Sequence, residues 1–473
     1  MNELHLLDAT TALRLFRAKE LSPVELLQAV IDRHVGVGES VNAFTETFFD
    51  EALDAARDAE ARYQQGVERP GLLGLPVAIK EKHMLAGRRL SQGLTFRRDE
   101  VSELTHPVVA RIVGAGGIVH ARTTSPEYSC ATVTHSPLWG VTRNPWNLDY
   151  SPGGSSGGSG AALAAGLTPL ATASDIAGST RIPASFTGTV GYKAPYGRIP
   201  GVPPMSADPY RGDGPMARTV ADTALLASVM LGRDSDDHTS LWPDARVRVR
   251  DDVAGMRIAL CIRLGDYPVT TEIEQNTYAV ASALADGGAT VEEVVLPWNT
   301  REIADTAFTH FGNLLAPAME DEVTGHEDEL AAYTRRFIAD AREAAGRHRF
   351  VDGLRVETRM QSELASAMAG FDALICPTSC TPALSAEGDY LDGIDVGGVH
   401  LAHYWESHLT VPFNIANRCP VLAVPSGVAS TGIPTGVQIV GHPYDDATVF
   451  RVGAAVERQR PWGNRHPAVE TTR

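Results

Sequence analysis

Apolar positions near the amino terminus fall at helical spacing. In LSPVELLQAVIDRHV, Leu26, Leu27, Val30 and Ile31 recur three and four residues apart. Ser22 can cap this helix, Pro23 suits its first turn, and Glu25 completes a capping box. A second helix is predicted over FDEALDAARDAEARYQQG, so residues 1–65 read as a helical amino-terminal segment. The pattern then changes to short continuous apolar runs: LPVAIK at 75–80, GGIVHART at 116–123 and LTPLATAS at 167–174. Such runs predict buried strands, and helical stretches such as HPVVARIVGAG lie between them.

Past residue 231 the texture shifts. A strand is predicted within 248–262, a helix followed by a strand over 281–297, and a mostly helical block over 300–370. Strand-like runs return at FDALICPT (371–378), CPVLAVPSG (419–427) and PTGVQIVG (434–441), and a helix over ATVFRVGAAVERQ closes the chain. Strands at both ends around a helical block predict an α/β fold, one large domain over 1–473 with the 300–370 block as an insert.

Composition narrows the function classes. The 473 residues are 43% hydrophobic and 21% charged, an ordinary globular balance. The formal net charge of −17 disfavours nucleic acid or an anionic membrane as the main partner, because both reward clustered positive charge. No basic region followed by an apolar run marks a signal peptide, and no stretch approaches the ~18 apolar residues of a membrane span. Five cysteines, at 130, 261, 376, 380 and 419, are odd in number and scattered. They argue against a disulfide framework and for a cytoplasmic location. Cys376 and Cys380 read as packing residues.

The segment SPGGSSGGSGAALAAG at 151–166 stands out. A linker reading conflicts with the structured segments on both sides. A phosphate-binding loop would need a lysine next to a hydroxyl residue at its end, which is missing. Gly153, Ser155 and Gly157 fit the spacing of a nucleophile elbow, but the preceding WNLDYSP is no buried strand. Downstream, Ser179 lies 24 residues after Ser155, in ASDIAGSTRIPAS. Small residues at 177 and 178 leave successive backbone N–H groups open, as an oxyanion hole requires. Upstream, Lys80 ends a buried strand, where desolvation should lower its pKa and let it act as a general base.

These stretches together resemble the amidase signature family. GLPVAIKE, GGSSGGSG and DIAGSTRIP match its lysine strand, its glycine–serine loop and its nucleophile turn, in order and at the family's interval. RTTSPEYS, GVTRNPWN, PVLAVPSG and PTGVQIVG extend the resemblance over nearly the whole chain, least clearly at 300–370. It implies a large mixed, mostly parallel central sheet flanked by helices. It also implies Ser179 as nucleophile, Ser155 as bridging serine after a cis Gly154–Ser155 bond, and Lys80 as ultimate base. The N–H groups of Ile176, Ala177, Gly178 and Ser179 would hold the oxyanion, with Gly154, Asp175 and Arg181 as structural support and Ser129 lining the acyl site. No metal or cofactor is implied. Two departures stand out: Ala177 where the family has a glycine, and Glu81 where aspartate is commoner.

Plainer roles compete for several residues. His83, three residues from Lys80, is a weak candidate for a Ser–His base, and His326 in GHEDEL fits a solvated helix face better than a metal site. Arg181 fits an ion pair with Asp175 better than a substrate carboxylate. Glu81 and Lys82 read as surface charges. Phe308, Phe311, Tyr333 and Phe337 form a stripe that suits core better than substrate contact. Specificity is expected from 300–370 and from loops near 125–150 and 200–215. The resulting expectation is hydrolysis of an amide, anilide or hydrazide through an acyl-enzyme. The alternatives are an amidotransferase-type subunit of a tRNA-dependent complex and a non-catalytic binding protein. The partner expected is a small amide-type substrate, with a homodimer admissible and no nucleic acid or membrane.

Overall fold

The computed structural model describes residues 3–66, 71–241, 247 and 249–469. The helix Pro23–Val41 begins as its sequence dictates: Ser22 accepts from the Val24 N–H, and Glu25 accepts from the Ser22 N–H at 2.8 Å. Leu26, Leu27 and Val30 face inward. The amino-terminal segment is not helical throughout. Between Pro23–Val41 and the helix Phe49–Gln65 lies a strand, Phe44–Thr47, whose FTET sequence is too short and too polar to show a strand period.

Eleven strands form one sheet. In chain order they are β1 (Phe44–Thr47), β2 (Pro76–Lys80), β3 (Ile118–Thr123), β4 (Leu170–Asp175), β5 (Val190–Lys193) and β6 (Gly212–Ala217). The carboxyl-terminal half adds β7 (Arg257–Leu260), β8 (Thr290–Glu293), β9 (Ala373–Pro377), β10 (Val421–Val428) and β11 (Pro434–Gly441). Their spatial order is β1-β3-β2-β4-β6-β5-β10-β11-β9-β7-β8.

The expected large mixed sheet, flanked by helices within a single domain, is present. Parallel pairing, however, is confined to two blocks, β3-β2-β4 and β9-β7-β8, and the run between them is antiparallel. In the middle run the helix Arg181–Thr187 returns β5 in the direction of β4, but β6 inserts antiparallel between them, and β10 and β11 form a hairpin across Ala429–Ile433. Helices cover both faces, which explains the continuous apolar runs of β2, β4 and β9.

The 300–370 region folds as three helices, Thr300–Val323, Ala332–Arg347 and Phe350–Ala367. In the 248–262 stretch the strand is β7; Arg248 lies outside the described residues. All five cysteines are buried free thiols. No helix among the described residues is long and apolar enough to cross a membrane.

The glycine–serine segment leads into the helix Gly157–Ala164, which is buried on every side. That burial accounts for its composition, since only small side chains fit a helix pressed against the sheet and a second helix at once. Gly158 shows the constraint most sharply: an added Cβ would lie 2.3 Å from Thr124 Oγ1 and 2.5 Å from its backbone nitrogen. Gly158→Ala should therefore cost about 1–3 kcal/mol through overpacking. A urea titration would register this as a lower midpoint at unchanged slope, and an unchanged midpoint would refute the packing account.

Candidate active site

Strand register brings three segments to one edge of the sheet. Parallel β2 and β4 pair Val77 with Leu170 and Ala78 with Ala171, so both run out toward the same end. Antiparallel β6 begins there, with Ser174 opposite Asp213 and Asp175 opposite Gly212. Lys80 is the last residue of β2, and the turn carrying Ser179 leaves the end of β4. A cavity of about 260 Å³ opens above this edge, and Ser155, Ser174, Asp175, Ile176 and Ser179 all line it.

Lys80 is completely buried. Its Nζ lies 2.6 Å from Ser155 Oγ and 3.0 Å from both Ser156 Oγ and Ser174 Oγ. Burial is the main force pulling its pKa well below the ordinary 10.5, and the nearby Lys82 pulls the same way against Asp213 and Asp175. A neutral amine has two N–H donors and one lone pair, which three hydroxyls can satisfy. Ser156 donates to the Ser174 carbonyl at 3.4 Å, leaving its oxygen to accept from Lys80. The shortest contact, to Ser155, suits a hydroxyl that donates to the amine.

The Gly154–Ser155 peptide bond is cis. A Cβ on Gly154 would come within 2.7 Å of the Ala131 and Val133 carbonyl oxygens. Ser179 is 7% exposed, open only to the cavity, and its carbonyl accepts from the Ser156 N–H at 3.2 Å. The glycine–serine loop and the turn carrying Ser179 are thus bonded to each other.

The turn carrying Ser179 hangs on Asp175 and Arg181. Asp175 accepts from the Gly178 N–H at 2.8 Å and the Thr180 N–H at 3.2 Å. Arg181 uses all five of its donors: two to Asp175, one to Asn414, and one each to the Thr410 carbonyl and Gln438. Burial alone would raise the Asp175 carboxyl; the Arg181 guanidinium and the Asn414 amide outweigh it and hold the group well below the usual carboxylate range. Arg181 is therefore the ion-pair partner of Asp175, with no donor left for a substrate.

One of the expected oxyanion donors has a partner within the protein. The Gly178 N–H is already spent on Asp175. The N–H groups of Ile176, Ala177 and Ser179 find no acceptor within the protein among the described residues, so the open row has three members. Gly178 is needed for its backbone: its φ is +122°, and a Cβ would sit 2.2 Å from Thr410 Oγ1. Ala177 does not adopt a positive φ, which is why alanine is tolerated there.

Other residues depart from their sequence reading. Glu81 is no surface charge: it is buried and accepts from the N–H groups of Ser91 and Gln92 and from the Ser91 hydroxyl. Lys82 is half-buried in the cavity wall. His83 reaches none of the site serines; it contacts Thr172 Oγ1 at 2.8 Å and Asp213 at 2.9 Å. Burial pulls its imidazole down to about 4 despite Asp213. With His106 it forms a His83–His106–Asp213 group whose ligand-type atoms all lie within 4.8 Å. His106 Nδ1 accepts from the Val108 N–H, which leaves its Nε2–H to face Asp213, so the cluster closes as hydrogen bonds around the carboxylate. His326 is exposed and contacts Glu329 at 2.7 Å.

Ser129 does line the cavity, next to Tyr128, and both have positive φ. Of the aromatic stripe only Phe337 reaches the cavity; Phe308, Phe311 and Tyr333 pack in the core. Sequence reasoning missed Leu315, Ala318, Met319 and Glu322, which line the cavity from the helix Thr300–Val323. Their spacing of three, four and seven residues was the available signal. It also missed Trp405, Arg211, Ser156 and Ser174.

Arg181→Met should cost about 3–5 kcal/mol by leaving the buried Asp175 charge without its cationic partner. The sign with pH follows from the depressed carboxyl. Its stabilisation is present above the unfolded value of about 3.9 and is lost as pH falls through the folded value. Without Arg181 the folded pKa rises, so acid unfolding, followed by far-UV circular dichroism, should begin at a higher pH. An unshifted acid transition would remove Arg181 as the anchor.

The amidase family profile matches residues 25–450. A glutamyl-tRNA(Gln) amidotransferase subunit of Thermosynechococcus vestitus is 31% identical, over 95% of this chain and 97% of that protein. An acylamidase of Rhodococcus erythropolis is 32% identical, over 98% of both. A bacterial aryl acylamidase of the amidase signature family superposes with a TM-score of 0.90 at 27% identity, covering 97% of each chain. Sequence, fold and the arrangement at the sheet edge agree: the chain belongs to the amidase signature family, whose members are hydrolases acting on amides.

Proposed function

We propose that this protein hydrolyses a small-molecule amide, anilide or hydrazide through an acyl-enzyme on Ser179, with Ser155 and Lys80 as its proton relay. The observation that carries the reading is the buried Lys80 amine, 2.6 Å from Ser155 Oγ, beneath the cavity that also holds Ser179. Neutral Lys80 accepts the Ser155 proton while Ser155 accepts the Ser179 proton. Ser179 Oγ attacks the carbonyl carbon, and the N–H groups of Ile176, Ala177 and Ser179 take the developing negative charge. One such donor contributes about 3–4 kcal/mol to the barrier reduction. The tetrahedral intermediate collapses, the C–N bond breaks, and the relay returns the proton to the departing nitrogen. Water, deprotonated by the same relay, then cleaves the acyl ester and restores Ser179. The chemistry is complete without a metal or cofactor.

The amidotransferase relatives favour a second reading, in which the chain delivers ammonia within a tRNA-dependent complex. The net charge of −17 gives tRNA little to bind. Turnover of a simple acyl anilide by the chain alone would support the first reading. Turnover of glutamine only with added partner proteins would support the second.

A fluorophosphonate should label Ser179, as mapped by peptide mass spectrometry, and labelling should fall sharply in Lys80→Met. An adduct on Ser155 instead would reverse the assigned roles. Ser179→Ala should lower kcat/KM on a reactive anilide by at least about 10³-fold.

Because burial lowers the Lys80 pKa, its neutral form persists below the ordinary 10.5. Activity should therefore rise with pH along a limb centred below that value. A limb centred at or above 10.5 would mean that Lys80 is not the desolvated base.

A further inference from the structure

Two cations beside the turn that carries Ser179 make no salt bridge among the described residues. Lys82 lies two residues beyond the end of β2, and Arg211 immediately precedes β6. Since β4 lies between those strands, the two flank the turn that carries Ser179. Both line the same cavity as Ser155 and Ser179. Neither makes a salt bridge or a side-chain hydrogen bond among the described residues, and Arg211 Nε is buried without an acceptor. Burial and the neighbouring Arg211 pull the Lys82 ammonium down to about 8, so the two charges repel one another across the cavity.

The carboxylates around them act on Lys82 and Arg211 only through space, with no direct contact. Asp213, the nearest carboxylate on β6, is held by His83 and His106. Asp208, three residues before Arg211, bonds His310 through Oδ1 at 2.8 Å and leaves Oδ2 unbonded, and Glu322 in the cavity wall pairs with Arg97. Asp175 is saturated by Arg181 and Asn414. Leaving a guanidinium partly desolvated and unpaired costs free energy, which a bound anion would recover. The rest of the cavity is mostly apolar, with Leu90, Leu315, Met319, Phe337 and Trp405 in its wall.

We infer that the substrate is an amide bearing a carboxylate, held by Arg211 and Lys82, with an apolar portion against the helix Thr300–Val323. This rests on the proposed amidase reading and narrows its substrate class. The carboxylate belongs to either the acyl or the amine half, and both placements use the same pair of cations.

The test compares matched substrates: glutaryl-p-nitroanilide against pentanoyl-p-nitroanilide for the acyl half, and 4-acetamidobenzoate against 4-methylacetanilide for the amine half. In the wild-type chain the carboxylated member of one pair should be preferred in kcat/KM by about 10- to 100-fold. Arg211→Met should abolish that preference mainly by raising KM for the carboxylated member, with the ratio between the two members as the readout. Lys82→Met should reduce it in the same direction, and Arg211→Lys should restore part of it. Neutral substrates turned over with no preference in either pair would overturn the carboxylate assignment and leave the amidase reading intact. So would an Arg211→Met variant that loses charged and neutral substrates alike. Absence of turnover on all four, together with absence of a fluorophosphonate adduct on Ser179, would overturn the amidase reading itself.

Discussion

The site depends on keeping one amine out of water. A lysine on an exposed strand end would stay protonated and could not take a proton from serine. Lys80 is instead sealed beneath the glycine–serine loop, with no carboxylate in hydrogen-bond contact and three hydroxyls around its nitrogen. Hydroxyls can donate or accept, so they satisfy a neutral amine without stabilising its charged form as a carboxylate would. Asp175 and Asp213 act on Lys80 only from a distance, because each is bonded elsewhere. The two nearby carboxylates are in effect withheld from the lysine by Arg181 on one side and two histidines on the other.

That seal requires close packing, and close packing explains the composition. The helix Gly157–Ala164 brings backbone against Thr124 and lies over the Ala78 and Ala171 side chains. A larger residue would lift the helix and admit water to Lys80. The same loop fixes Ser155 over the amine and bonds to Ser179 through the Ser156 N–H. Exclusion of water from Lys80 and placement of Ser155 over its amine are therefore one packing event. The alanine-rich run after the serines serves the lysine rather than forming an independent element.

Much of this was legible in the chain. The buried strands declare themselves as short apolar runs, and the lysine and the two serines stand out because each is polar where its surroundings are apolar or small. What stayed hidden depended on register or on distant segments. Phe44–Thr47 is recruited as an edge strand by β3, although its own sequence carries no strand period. The antiparallel middle of the sheet follows from which strands become neighbours, and periodicity does not encode that. Glu81 reads as a surface charge because the donors on its Oε1, from Ser91 and Gln92, are brought near only by the folded loop. Gly178 reads as an oxyanion donor because the Asp175 carboxylate that claims its N–H belongs to the same short motif.

Two arginines show how position separates structure from recognition. Arg181 and Arg211 sit at the same edge of the sheet, one just after β4 and the other just before β6. Arg181 is fully buried and spends every donor on the protein, so its planar fork works as a bracket for the nucleophile turn. Arg211 faces the cavity with its guanidinium unspent and a second cation nearby. A protein of net charge −17 has carboxylates in excess, and a surface arginine could pair with one at little cost. At Arg211 the neighbouring carboxylates bond histidines instead and act on the guanidinium only through space, and Arg211 lines the cavity that holds Ser179. The scaffold's own anions are thus kept from the guanidinium that faces the substrate cavity.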